Sequence, residues 1–309
     1  MSFTDGLLAL LGKDVSRDPR GLNSRLHFFG RIPVEDGTPF PPQDSIVQSA
    51  LMEKAERRPC VVALVSANGG VGRSTLATLL SSGLQRLGES VVAVDLDPQN
   101  ALRRHFGVAP TSTGIGLASL QNAHWKHIQQ PGFVGSRVIT FGDTDIQQQD
   151  TLQRWLKHEP YWLAQRLHAL GLDARHTVIL DTPAGNSVYF HQAVSVADVV
   201  LVVAQADAAS LGTLDQLDGL LAPHLERDRA PHVHYVLNQL DEDSAFSLDM
   251  VEAFRQRLGT KEPFEVHHDV GISEALAFGA DPLDSQALSL AGDDINELCR
   301  LLIARKKQL

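Results

Sequence analysis

An apolar, β-branched run from Cys60 to Val65 leads directly into Ser66-Ala67-Asn68-Gly69-Gly70-Val71-Gly72-Arg73-Ser74-Thr75, and a helical pattern follows at once. A buried strand, a glycine-rich turn and a helix in that order make a phosphate-binding unit, and such a unit needs a mostly parallel sheet around it. From Arg73 to Leu87 the residues Leu76, Leu79, Leu80, Leu84 and Leu87 share one helical face, and Gly88 is placed to stop the helix. Gly69, Gly70 and Gly72 let backbone N–H groups close around phosphate oxygens. The helix N-terminus adds partial positive charge, Ser74 is the hydroxyl placed to reach Mg²⁺, and Thr75 falls beside the innermost phosphate. One position breaks the pattern: Arg73 stands where such loops carry a lysine.

Further apolar runs support the same architecture. Val91 to Val94 runs into Asp95-Leu96-Asp97-Pro98-Gln99-Asn100, and Thr177 to Leu180 ends in Asp181-Thr182-Pro183. Val199 to Ala204 follows Ala197-Asp198, and Val233 to Leu237 ends at Asn238. These carboxylates fall at the C-terminal ends of strands, where open α/β sheets bind ligands, and an aspartate in the place of Asp181 holds hydrated Mg²⁺ opposite the loop. Helical or mixed sequence separates the strands, which predicts an α/β, doubly wound, mostly parallel sheet.

Taken together, these motifs resemble the MinD/ParA group of deviant-Walker P-loop ATPases over roughly residues 59–304. The resemblance implies two molecules sandwiching two ATP molecules, with Asn68, Gly69, Gly70, Val71, Gly72, Arg73, Ser74 and Thr75 on the nucleotide and Asn238 at the adenine. It further implies Asp97 as the water-positioning residue, and Ser74, Asp97 and Asp181 around Mg²⁺, partly through water. Within the group, the carboxyl-terminal stretch is similar to the MinD-like accessory proteins of bacterial cellulose synthesis operons, the BcsQ/YhjQ type. The residues that carry this likeness are His268-Asp269, Ser273-Glu274-Ala275-Leu276-Ala277, Gly279, Asp281-Pro282-Leu283, Ser285-Gln286-Ala287 and Asp294-Ile295.

Two departures bear on mechanism. Asn68 replaces the lysine that in this group crosses to the partner's phosphates, and Arg73 replaces the loop lysine. Arginine keeps the charge but spreads it over a broad planar fork that cannot act as a compact point between phosphates. The expectation is that ATP and Mg²⁺ are bound while hydrolysis is slow or absent. The resemblance then implies a homodimer that supports a membrane cellulose synthase or secretion complex. The alternative is an active cycling ATPase for septum, pole, flagellar or plasmid positioning.

Composition narrows the remaining classes. A net charge of −10 argues against broad nucleic-acid binding, which needs a basic face. With only Cys60 and Cys299, no disulfide framework is suggested, and the start Met-Ser-Phe-Thr-Asp has no basic region before a signal core. A cytoplasmic protein recruited to membrane through partners is expected. Residues 1–58 lie outside the resemblance and are expected to form an extended N-terminal appendage, a docking arm with Phe28, Phe29 and Phe40 among its prolines and a helix from Gln43 to Arg58. Residues 59–309 form the nucleotide-binding domain. Between 111 and 176 the sequence suggests a strand at Val138–Phe141, a helix at Tyr161–Leu170, and core positions for Trp125, Trp155 and Trp162. The histidines show no ligand spacing, and His268-Asp269 is drawn toward the nucleotide by the resemblance alone. The terminal segment Ile295–Lys307 admits a membrane-binding and a core-packed reading; its single short apolar face favours packing.

Overall fold

The computed structural model describes residues 58–284 and 289–309. The expectations for the arm at residues 1–57 and for Ser285-Gln286-Ala287 lie outside these. Eight strands form one sheet: β1 (Cys60–Val65), β2 (Ser90–Asp95), β3 (Gln130–Pro131), β4 (Arg137–Ile139), β5 (His176–Asp181), β6 (Val199–Gln205), β7 (His232–Leu240) and β8 (Phe264–His267). Their order is β3-β4-β2-β5-β1-β6-β7-β8, and every pairing is parallel except the short β3–β4 edge. β1 lies between β5 and β6, with the chain running from β1 to β2 on one side and from β5 across to β6 on the other, and at such a switch a crevice opens at the strand's C-terminal end.

The strands in the middle of the sheet are apolar on both sides because helices cover both faces. Cys60, Val62 and Leu64 point to a cluster that includes Leu76, Leu79, Leu80 and Leu84 of α1 (Arg73–Arg86). The same cluster takes in Ile295, Leu298, Cys299 and Leu302 of the last helix, Leu290–Lys306. That helix therefore spends its apolar face on the core, and its basic end is tied back by an ion pair from Lys306 to Glu89. A Cβ on Gly83 would stand 2.8 Å from Cys299 Sγ, so the glycine inside α1 is what allows the two helices their close approach. Leu87 departs from expectation. It caps the helix, one residue past its end, and is 41% exposed, while Gly88 takes φ +93° and closes the turn.

Other helices connect the strands: α2 (Ala101–His105), α3 (Ile115–Leu120), α4 (Ile146–Leu156), α5 (Trp162–Ala169), α6 (Val188–Val196), α7 (Ala208–Gly212), α8 (Leu214–Leu225), α9 (Ala245–Leu258) and α10 (Val270–Ala277), with the terminal helix as α11. Trp125 and Trp162 are buried and meet edge to face at 5.4 Å, whereas Trp155 is only half-buried. Among the described residues no helix is long and apolar enough to cross a membrane.

Candidate nucleotide site

The loops after β1, β2, β5 and β7 meet at the crevice. Gly70 and Gly72 take φ of +80° and +84°, the left-handed region that glycine enters without steric cost. A Cβ at Gly69 or Gly70 would meet nothing within 4 Å among the described residues, so the loop's inner face is open to a ligand. At Gly72 a Cβ would fall 2.2 Å from Asn238 Nδ2. Asn238 is buried there and donates to Val71 O at 2.9 Å, which ties the end of β7 to the loop.

Arg73 is 7% exposed and lies folded down inside the site. Its Nε donates to Thr182 O at 2.7 Å, and its Nη1 donates to Ser66 Oγ and to Asn68 O, the latter at 3.3 Å. Nη2 lies 3.6 Å from Asp97 Oδ2, and Nε lies 3.8 Å from Asp181 Oδ1. The planar fork thus joins the loop to both aspartate segments, using donors that a lysine lacks. Asn68 points elsewhere: its Nδ2 donates to Thr213 Oγ1 at 3.2 Å, at the start of α8.

The two aspartates after β2 divide their tasks. Asp95 is fully buried and accepts from Asp97 N and Leu102 N, each at 3.0 Å, so it shapes the turn. Burial and the neighbouring Asp181 charge push its pKa well above the ordinary carboxylate range. Asp97 accepts Gln99 N at 2.9 Å and keeps its other oxygen toward Arg73. Asp181 is also fully buried, and neither carboxylate oxygen has a hydrogen-bond partner of good geometry among the described residues. Burial pushes its pKa up to about 6, with the Arg73 charge and the nearby Ser74 hydroxyl working against that rise. Stranded, fully buried carboxylate oxygens fit the requirements of a hard cation with oxygen ligands.

Beside them opens a cavity of about 520 Å³ lined by Gly69, Gly70, Arg73, Ser74, Asp97 and Pro183, with Asn68, Asp181 and Asn238 outside its lining. Thr75 is half-buried beside Ser74, and Val71 is buried beneath the loop. His268 and Asp269 do structural work: His268 N donates to Leu240 O, and Asp269 caps α10. Sequence reasoning missed Gln149 and Gln153 of α4 and Tyr189 of α6, which complete the wall. The glutamines carried a local signal, because Asp145 and Gln148 form a capping box that announces a helix and places the two, four residues apart, on one face.

A family model described as "Cellulose biosynthesis protein BcsQ" matches residues 60–301. The chain belongs to the BcsQ family. A BcsQ protein of Salmonella typhi is 26% identical over 237 residues, covering 76% of this chain and 90% of that protein. In three dimensions the chain is similar to the septum site-determining protein MinD of Pyrococcus horikoshii OT3, solved with Mg-ADP. That match has a TM-score of 0.65 at 18% identity and covers 81% of this chain and 100% of that one. It is likewise similar to a single-residue variant of Cyanothece McdA solved with ATP, with a TM-score of 0.67 at 18% identity, covering 80% of this chain and 97% of that one. BcsQ membership and the eight-stranded sheet together establish a MinD/ParA-type P-loop fold in a chain of the cellulose biosynthesis kind.

Proposed function

We propose that the protein is an ATP- and Mg²⁺-binding accessory factor of cellulose biosynthesis, dimerising around nucleotide and presenting its bound form to a membrane synthase complex. One observation carries the reading: Arg73 is held by Thr182 O, Asp97 and Asp181, so the loop's cation couples the phosphate site to both aspartate segments. Nucleotide complexes of the fold relatives, Mg-ADP in one and ATP in another, support the ligand.

The chain's own groups divide as follows. Backbone N–H groups of residues 69–74 hold phosphate oxygens at the N-terminus of α1. Ser74, Asp97 and Asp181 hold Mg²⁺, which supplies charge neutralisation to the phosphates when bound. Asp97 orients a water, and Asn238 borders the base. Arg73 delivers a diffuse charge where efficient phosphoryl transfer wants a compact one, and Asn68 brings only neutral donors toward a second protomer. Binding without rapid turnover is the result, a clamp that nucleotide closes and chemistry seldom reopens.

The retained Asp97 and Asp181 also suit a second reading, a cycling ATPase. Size-exclusion chromatography with light scattering, run with and without ATP alongside phosphate release, tests both. A nucleotide-dependent dimer with little released phosphate is expected; turnover comparable to an ordinary MinD favours the second reading. A monomer that stays empty in excess ATP refutes both.

A further inference from the structure

Next to the nucleotide cavity lies a second one, a trough of about 640 Å³ between α4, α6 and α8. Gln153 of α4 and Ser187, the cap of α6, line both, so the two adjoin there. The floor of the trough is built from satisfied groups. Buried Gln192 donates from Nε2 to Glu159 O at 2.7 Å and accepts Leu163 N at 3.1 Å, which locks α6 to the start of α5. His191 and His224 stack in the wall, ring centroids 5.5 Å apart at 26°, with His191 Nδ1 3.1 Å from His224 Nε2. His191 Nε2 stands 2.9 Å from Asn186 Oδ1, an acceptor, so Nε2 carries the proton and Nδ1 accepts from His224. Asn186 and Ser187 follow Asp181 on one loop, which ties this wall to the segment placed for Mg²⁺.

The charge of the trough runs against that of the chain. The sequence carries 37 acidic and 27 basic residues, yet no carboxylate lines this cavity. Lys157 stands exposed at the rim and forms no ion pair among the described residues. Burial, then His191 and Arg227, pushes His224 below the ordinary histidine range, and no acidic neighbour offsets them. Leu156, Pro160 and Val188 add apolar surface, and Tyr161, next to Pro160, is 71% exposed. A cation beside an apolar wall suits a carboxylate on an aliphatic stem. The rim residues Gln153, Lys157, Pro160 and Asn186 are all exposed, so the trough is too open to enclose a small solute, whereas a chain segment can lie along it with Tyr161 as an aromatic anchor.

We propose that this trough docks an acidic segment of a partner protein, with a side-chain carboxylate reaching Lys157 and neighbouring apolar side chains resting on Leu156, Pro160 and Tyr161. The docking rests on the trough alone. Its dependence on nucleotide rests on the nucleotide-binding reading above, through the loop that Asn186 and Ser187 share with Asp181.

Fluorescence anisotropy with the full chain and a labelled hexapeptide, one glutamate flanked by leucine and alanine, provides the test, with the glutamine counterpart as control. The glutamate peptide should bind saturably and roughly tenfold more tightly than the glutamine one. Lys157→Met should weaken the glutamate peptide roughly fivefold and leave the glutamine peptide unchanged. Lys261→Met, which removes a charge over the Tyr235 ring instead, should change neither. Equal affinity for the two peptides overturns the proposal, and so does an equal loss in both lysine variants. Raising salt from about 0.05 to about 0.5 M should weaken the glutamate peptide alone, which keeps the test independent of how the variants fold. Free glutarate that displaces the peptide at equal concentration assigns the trough to small carboxylates and overturns the docking. Mg-ATP should shift the affinity of the glutamate peptide at least roughly threefold. No shift while nucleotide is bound overturns the link between the two cavities. A chain that binds the peptide and no nucleotide refutes the nucleotide reading and supports the trough.

Discussion

Arg73 Nη2 stands 3.6 Å from Asp97 Oδ2, which places the one cation of the phosphate loop on an aspartate segment that follows a different strand. With Nε reaching Thr182 O and Asp181 from the same guanidinium, the arginine acts as a tie between three loops. Arg73→Ala leaves Asp95, Asp97 and Asp181 together without a countercharge. It should destabilise the ligand-free protein by about 3 kcal/mol at pH 7.5, measured by urea unfolding, with a smaller loss at pH 5.5. Arg73→Lys exchanges the fork for a compact ammonium and should raise phosphate release at least roughly tenfold, even as it weakens the tie to Thr182 O.

Asp181 gives the site a defined pH dependence. Its pKa in the folded protein, about 6, lies above the ordinary 3.8, so the folded state binds more protons than the unfolded chain between those values. Ligand-free stability should rise as pH falls through about 6, by up to roughly 3 kcal/mol, and be lost again as pH rises past it. Mg²⁺-dependent nucleotide affinity should move the opposite way, because the cation needs the carboxylate. Thermal melts from pH 4 to 8 with and without Mg-ATP read both trends, and Asp181→Asn should flatten both.

Gly72→Ala meets two obstacles at once. Its φ of +84° disfavours a side chain, and its Cβ would lie 2.2 Å from Asn238 Nδ2. The loop or the end of β7 must shift, so a loss of about 2–4 kcal/mol in unfolding free energy is expected, together with loss of nucleotide binding in calorimetry. Asn238→Ala in the same background should recover part of the stability and none of the binding.

Asn68 tests the cross-protomer reading. Its Nδ2 bond to Thr213 Oγ1 is a neutral one between two half-buried side chains, so Asn68→Lys should change monomer stability by only about 1 kcal/mol. The added ammonium should strengthen the ATP-dependent dimer several-fold in light scattering. A dimer constant that does not move removes Asn68 from the interface.

The sheet was legible where the strands are buried on both faces. β1 was expected at Cys60–Val65 and is found there, and β2, β5, β6 and β7 extend the expected runs by a few residues. β8 went unseen, because Phe264-Glu265-Val266-His267 is a short alternating edge strand with too little apolar length to register. α4 went unseen because three consecutive glutamines mask its periodicity, and only its cap announces it. In the site, the backbone cradle was legible since its glycines adjoin in sequence. Arg73 to Thr182 O spans 109 residues, and whether the Tyr189 hydroxyl faces core or cavity depends on how α6 is rotated over the sheet. Contacts of that kind arise from tertiary packing and leave no local pattern.

The closeness of Gly83 to Cys299 has a consequence for the order of events during synthesis. The helix that begins at the phosphate loop rests on the last helix of the chain, and Lys306 reaches back 217 residues to Glu89. While the ribosome is still translating, α1 has its strand but lacks its cover, and the face around Gly83 waits for Ile295 and Cys299 of α11 to emerge. Such distant pairings are slow to form. The phosphate loop, encoded in the first third of the sequence, thus leads into a helix whose packing partner is among the last residues to be made.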